Sequence, residues 1–433
     1  MSKLFNGITR WIAAVTLLLG LGQALAVVDG VTGTTFNLTA KPDYISTGDG
    51  GTAFIWGYAL GAGRAQYPGP TLIINQGDTV TINLGNQLAE PVSIIFPGQS
   101  GVNATGGSAG LLTREAAPGG SVTYTFTASQ PGTYLYHSGT RSELQVEMGL
   151  FGAIIVRPAG FDPNLNKIAY GHPGSAYDHE YLFLLSEMDP RIHDLVEFGR
   201  MAEIDNTIYF PVLWFINGRT APDTMADVNV GWLPTQPYNS LPRMHPGEKL
   251  LMRMVNAGRD LHPFHHHGNN ATVIARDGRL LQSAPGAGPD LGVSDFTIKT
   301  VPGETSDAIF EWTGKGLGWD IYGTAADGFP HNCGDVNGDG FDETTHEYCP
   351  DHGKAIPVIL PNQQDLVFGG FWSGSPFLGQ FGVLPPGEGG LNLNGGLFFM
   401  WHSHTEKEIV TNDIFPGGMM TMVIIEPPGA AIP

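Results

Sequence analysis

Six histidines in two short runs are the residues best equipped for chemistry in this sequence. Leu261-His262-Pro263-Phe264-His265-His266-His267-Gly268 places four imidazoles within six residues, and His402-Ser403-His404 adds two more. In an extended strand residues i and i+2 share a face. His265 with His267, and His402 with His404, therefore each present two imidazoles together, while His266 points the other way. Imidazole is a ligand for copper, zinc, iron and nickel. His137, in Tyr134-Leu135-Tyr136-His137-Ser138, is a further candidate, and His262 is undecided between ligand and structural residue.

A second, weaker pattern is Asp335-Val336-Asn337-Gly338-Asp339-Gly340-Phe341-Asp342-Glu343. Oxygen-bearing side chains at Asp335, Asn337 and Asp339, a turn-forming Gly340 and a carbonyl at Phe341 match the opening of a calcium loop. Position 12 is His346, so Glu343 or Glu347 must complete the shell. The alternative is a polar turn tied by the flanking cysteines. Cys333 and Cys349, the two cysteines of the chain, are expected to pair. Met400, Met419, Met420 and Met422 read as core filling. Glu187, Asp189 and His193 match no catalytic template and are expected at the surface.

What must position the histidines is a duplicated fold. Gly77–Asn86 and Gly247–Asn256 match at an offset of 170, each a turn followed by a strand of alternating apolar residues. Tyr134–Ser138 likewise resembles Phe399–Ser403. The expected architecture is all-β: a first β-sandwich over 27–158, a linker over 159–179, and a second over 180–433. A short helix is expected over 194–204. From Asn86 to His137 is 51 residues, but from Asn256 to His402 is 146, which places a long insert at about 315–395.

Gly and Pro contribute 61 and 32 of 433 residues and charged residues only 14%, which favours strands and turns over helical bundles. The net charge of -20 repels phosphate backbones and excludes nucleic acid as a partner. Residues 1–26 read as a cleaved export signal, with Lys3 and Arg10 before the apolar Trp11–Gly22 and Ala24-Leu25-Ala26 at the cleavage site. That places the mature chain in the periplasm or outside the cell. No segment is long and apolar enough to span a bilayer.

Taken together, Gly69-Pro70-Thr71 before the Gly77 turn, Tyr136-His137-Ser138, the 262–268 run, and His402-Ser403-His404 with Gly418-Met419 resemble the multicopper oxidases. The resemblance implies two cupredoxin-like Greek-key β-sandwich domains, often assembled as trimers, so a homotrimer is expected. It also implies a copper cluster held by four His-x-His pairs and a separate type 1 copper. Carried over by position, His265/His267 and His402/His404 supply two pairs and His137 half of a third, whose partner position is Gly139. At the fourth, the offset of 170 sets Ile95 and Pro97 where His265 and His267 stand. Glu143 or Met148 is a candidate replacement for a lost ligand. Of the type 1 ligands, His262 is kept, the cysteine is Ser403, and 405–415 holds no histidine. The expectation is a copper-binding protein with fewer than four coppers and residual oxidoreductase chemistry on a small-molecule or metal-ion substrate. A metal-free scaffold, and copper or zinc storage without turnover, stand as alternatives.

Overall fold

The computed structural model describes residues 28–327, 330–356, 374–376 and 396–432. The expected export signal, and the parts of the insert at 328–329, 357–373 and 377–395, lie outside them. Apolar residues at every second position dictate strands with one buried face. Thr79–Asn86 and Ser121–Thr127 alternate in this way and pair antiparallel, Val122 opposite Leu84 and Phe126 opposite Val80. A six-stranded and a four-stranded sheet close over one core in which Leu38, Ile82 and Tyr124 meet Leu72, Ile154 and Tyr136. Downstream, a seven-stranded and a six-stranded sheet enclose a second core of Met252, Phe310, Phe264, Phe399 and Trp401.

The offset of 170 survives in atomic detail. The strand Lys249–Asn256 repeats Thr79–Asn86, and Asn256 repeats the work of Asn86. Asn86 Oδ1 accepts from Leu88 N (2.8 Å), and its amide donates to Glu90 O (2.8 Å). Asn256 Oδ1 accepts from Gly258 N (2.8 Å), and its amide donates to Asp260 O (2.9 Å). A side chain that ties down the loop leaving a strand fixes where the next strand starts, and in the second half that strand is His262–His266.

The two halves share a third apolar core, where Leu135, Phe151 and Ile155 pack against Leu184, Met188 and Phe215. Beside it lies a buried ionic bolt. Glu180 accepts from Arg157 and Arg253 at 2.7 Å each, and Arg253 also donates to Thr133 Oγ1 (2.9 Å). The two guanidinium groups outweigh burial and hold Glu180 down at about 2.

Two local expectations are corrected. The helix runs Pro190–Glu197, earlier than expected, because Asp189 caps it (Oδ1 accepting from Arg191 N, 3.1 Å) and Pro190 opens its first turn. Glu187, Asp189 and His193 are buried, not at the surface. They lie where the strand His179–Met188 passes into that helix beneath the first half, and each finds polar partners there.

Candidate metal centre

Strand pairing brings the histidine runs together. His262–His266 pairs antiparallel with Leu397–Ser403, setting His265 directly opposite His402. The rings of His265, His267 and His402 stand within 4.7–5.4 Å of one another, and His404 lies 4.9 Å from His265. One ring nitrogen from each of His265, His267 and His402 falls within 4.8 Å of the others. His404 flanks this set and is partly open to solvent.

Hydrogen bonding fixes which nitrogens face inward. His402 Nδ1 is 2.7 Å from the Ser403 carbonyl, which can only accept, so Nδ1–H donates and Nε2 carries the lone pair. That Nε2 lies 3.3 Å from Nε2 of His267. His265 Nδ1 bonds Thr297 Oγ1 (2.9 Å), and its buried Nε2 has no hydrogen-bond partner among the described residues. His404 Nδ1 is held by Glu406 (3.1 Å). Such outer partners orient imidazole ligands toward metals. Burial, then repulsion from His267, His402 and His404, pushes His265 down to about 3, and burial lowers His402 too. Neutral imidazoles are the form that metals bind. The convergent lone pairs and the orphaned His265 Nε2 fit a soft or borderline divalent ion such as copper.

The remaining candidates lie elsewhere. His266 turns away: its Nε2 accepts from Ala271 N (2.9 Å) and its ring packs edge-on against Trp401 and Phe310. His137 donates from Nδ1 to the Ser138 carbonyl (3.0 Å), as His402 does to Ser403, yet it is not among the rings that gather around His265. Its opposite residue is Ile95, in the register His265 holds to His402. Gly139 is crowded by the same side chain, since a Cβ there would meet Ile95 Cγ2 at 2.7 Å. Met148 is buried in the first core, and Glu143 pairs with Arg141 (3.7 Å).

His262 is fully buried and both of its nitrogens are taken, Nε2 by Glu187 (2.8 Å) and Nδ1 by Glu408 (3.0 Å). Ser403 Oγ donates to the same Glu408 Oε2 (2.5 Å). Burial opposes a charge on His262, but the two carboxylates outweigh it and raise the imidazole to about 9. The position is thus a carboxylate–imidazolium–carboxylate cluster. Sequence reasoning missed Glu187 and Glu408, which stand 75 and 146 residues from His262.

Cys333 and Cys349 form a disulfide with Cα atoms 5.5 Å apart. In the loop between them Asp335 accepts from Gly338 N (2.7 Å) and Gly340 N (3.0 Å), Asn337 from Asp339 N (2.9 Å), and Asp339 from Phe341 N (2.9 Å). Glu343 accepts from Asn337 N (2.7 Å), so these side chains serve first to wind the exposed loop.

The family model for multicopper oxidases matches residues 59–160. Copper resistance protein A of Escherichia coli is 28% identical over 57% of this chain and 42% of its own length. An iron transport multicopper oxidase of Epichloe festucae is 42% identical over 23% of this chain and 16% of its own. The chain thus spans less than half the length of these curated relatives. The solved blue copper oxidase of Nitrosomonas europaea shares the fold, with a TM-score of 0.53 at 18% identity over 90% of this chain and 85% of that one. The family match thus covers residues 59–160, and the described residues share the cupredoxin-like all-β fold of the solved multicopper oxidases. No helix among the described residues is long and apolar enough to cross a membrane.

Proposed function

We propose that this is an exported copper-binding protein with oxidoreductase activity, built from domains 27–158 and 180–433 joined by 159–179, whose copper sits on the four-histidine set without a type 1 centre. The observation that carries the reading is the mutual approach of His265, His267 and His402, with their donor nitrogens within 4.8 Å. Bound there, copper would supply a redox centre and a Lewis acid with a position open to a small-molecule or metal-ion substrate. The chain's own part is to orient three neutral imidazoles through the Ser403 carbonyl, Thr297 and the strand register. His404, at the open rim with its Nδ1 held by Glu406, would complete the set from the solvent side. The absence of a type 1 site rests on Ser403 in place of cysteine and on the engagement of His262 by Glu187 and Glu408.

A homotrimer is part of the same reading. His137 keeps the ligand tautomer but stands apart from the four histidines of its own chain, as a ligand contributed between copies would. Calcium at Asp335, Asn337, Asp339, Phe341 and Glu343 is a structural proposal, supported by the close winding of those oxygens. Export rests on the composition of residues 1–26. The test is metal analysis and electron paramagnetic resonance after copper loading. Uptake that falls by about one equivalent in His265→Ala/His402→Ala supports the proposal, and a parent that takes up no more copper than this variant rejects it. Copper uptake without oxygen consumption for any donor would leave storage as the function.

A further inference from the structure

Within the insert the chain gathers a second set of ligand-type side chains that shares no residue with the histidine cluster. Asp320, His331, Glu347 and His352 each offer a donor atom, all within 4.8 Å of one another. His331 Nε2 lies 3.1 Å from Glu347 and 3.6 Å from Asp320. His352 Nδ1 lies 3.1 Å from Glu347 and 3.4 Å from Asp320. The rings of the two histidines are 4.7 Å apart and nearly perpendicular. Asp320 is wholly buried and the Glu347 side chain only 3% exposed.

We infer that these four residues form a structural site for a zinc-class divalent cation, a two-imidazole, two-carboxylate set. Ligands about 2.0–2.1 Å from a tetrahedral ion stand about 3.3–3.4 Å apart, and the four nitrogen–oxygen separations of 3.1–3.6 Å bracket that edge. The charges close as well, because two carboxylates and two neutral imidazoles balance one divalent ion. The buried hydroxyl of Tyr322, whose ring packs edge-on against His331, has no hydrogen-bond partner among the described residues.

The surroundings are built to hold such a set. Asp320 is fixed by Tyr322 N (2.9 Å) and Gly353 N (2.8 Å), which leaves its carboxylate facing the imidazoles. His331 and Glu347 each stand two residues before a cysteine of the Cys333–Cys349 bridge, so the disulfide sets their separation. His352 follows on the short turn Cys349–Asp351. The ion would join the segment leaving the second sandwich to the disulfide loop, adding a cross-link beside the bridge.

The full-length protein carrying His265→Ala/His402→Ala removes the copper cluster and isolates this site. After chelator treatment it should take up about one equivalent of Zn(II), and Glu347→Gln in that background should reduce it to below about a tenth. Co(II) in place of zinc should give the intense visible absorption of a tetrahedral ion. The inference is overturned if the His265→Ala/His402→Ala protein takes up no zinc, or if Glu347→Gln leaves uptake unchanged. In either case the four residues are a hydrogen-bonded ionic cluster only. Should Glu347→Gln fail to fold, the Co(II) spectrum of the parent decides: tetrahedral bands support the site, and a weak octahedral spectrum overturns it. Failure of copper to bind at His265 leaves this result unaffected.

Discussion

Replacing Ser403 by cysteine would return a thiolate to the place between His402 and His404, and should nevertheless fail to create a blue copper centre. The reason lies in His262. Its nitrogens bond Glu187 at 2.8 Å and Glu408 at 3.0 Å, and the imidazole is raised to about 9. Any metal that needs its lone pair must first displace that proton, a handicap of roughly 3 kcal/mol at pH 7. Glu408 also loses the 2.5 Å bond from Ser403 Oγ, while residues 405–415 supply no second imidazole. Copper-loaded Ser403→Cys should therefore show the copper content of the parent and no intense thiolate band in the visible spectrum. An intense blue band, with the narrow hyperfine splitting of type 1 copper, would refute the reasoning. Glu187→Gln/Glu408→Gln should lower the His262 pKa, since burial is then opposed only by the more distant Asp260; proton NMR titration reads this directly.

His266→Ala should cost about 1–3 kcal/mol by stranding the buried Ala271 N–H, yet leave copper stoichiometry unchanged, as denaturant melts and metal analysis will show. Glu180→Gln should destabilise by about 3–5 kcal/mol in urea, because Arg157 stays buried without its carboxylate and Arg253 keeps only Asp307 at 3.5 Å. The same carboxylate sets a pH dependence. Its pKa lies at about 2 folded and near 4.5 unfolded, so its contribution of about 3 kcal/mol is present above pH 4.5 and lost as pH falls toward 2. Acid unfolding of Glu180→Gln should lack that component. Gly139→His should destabilise by about 1–3 kcal/mol, because its Cβ meets Ile95, and Ile95→Ala should recover part of the loss.

Much of the fold could be read along the chain because it depends on near neighbours. Alternation fixed the strands Thr79–Asn86 and Lys249–Asn256, and the 170-residue offset held through to the bonds of Asn86 and Asn256. The i, i+2 rule also put His265 and His267 on one face and His266 on the other. The helix start was legible but overlooked, since Asp189-Pro190 is a cap followed by its preferred first residue. Glu187, the next acid upstream, gave no such signal, because nothing within a strand's own period says which buried partner a carboxylate will meet.

Sequence alone thus determined what local geometry governs: strand periodicity, the duplicated plan and the pairing of imidazoles along each strand. Tertiary structure decided whatever required distant segments to meet. It placed Glu187 and Glu408 on either side of His262, kept His137 apart from the four histidines, and drew Asp320, His331, Glu347 and His352 together. The physical reason is that side-chain direction within a strand follows from two torsions per residue, whereas contact across sheets and loops depends on register, strand twist and loop closure, which no short window of residues contains.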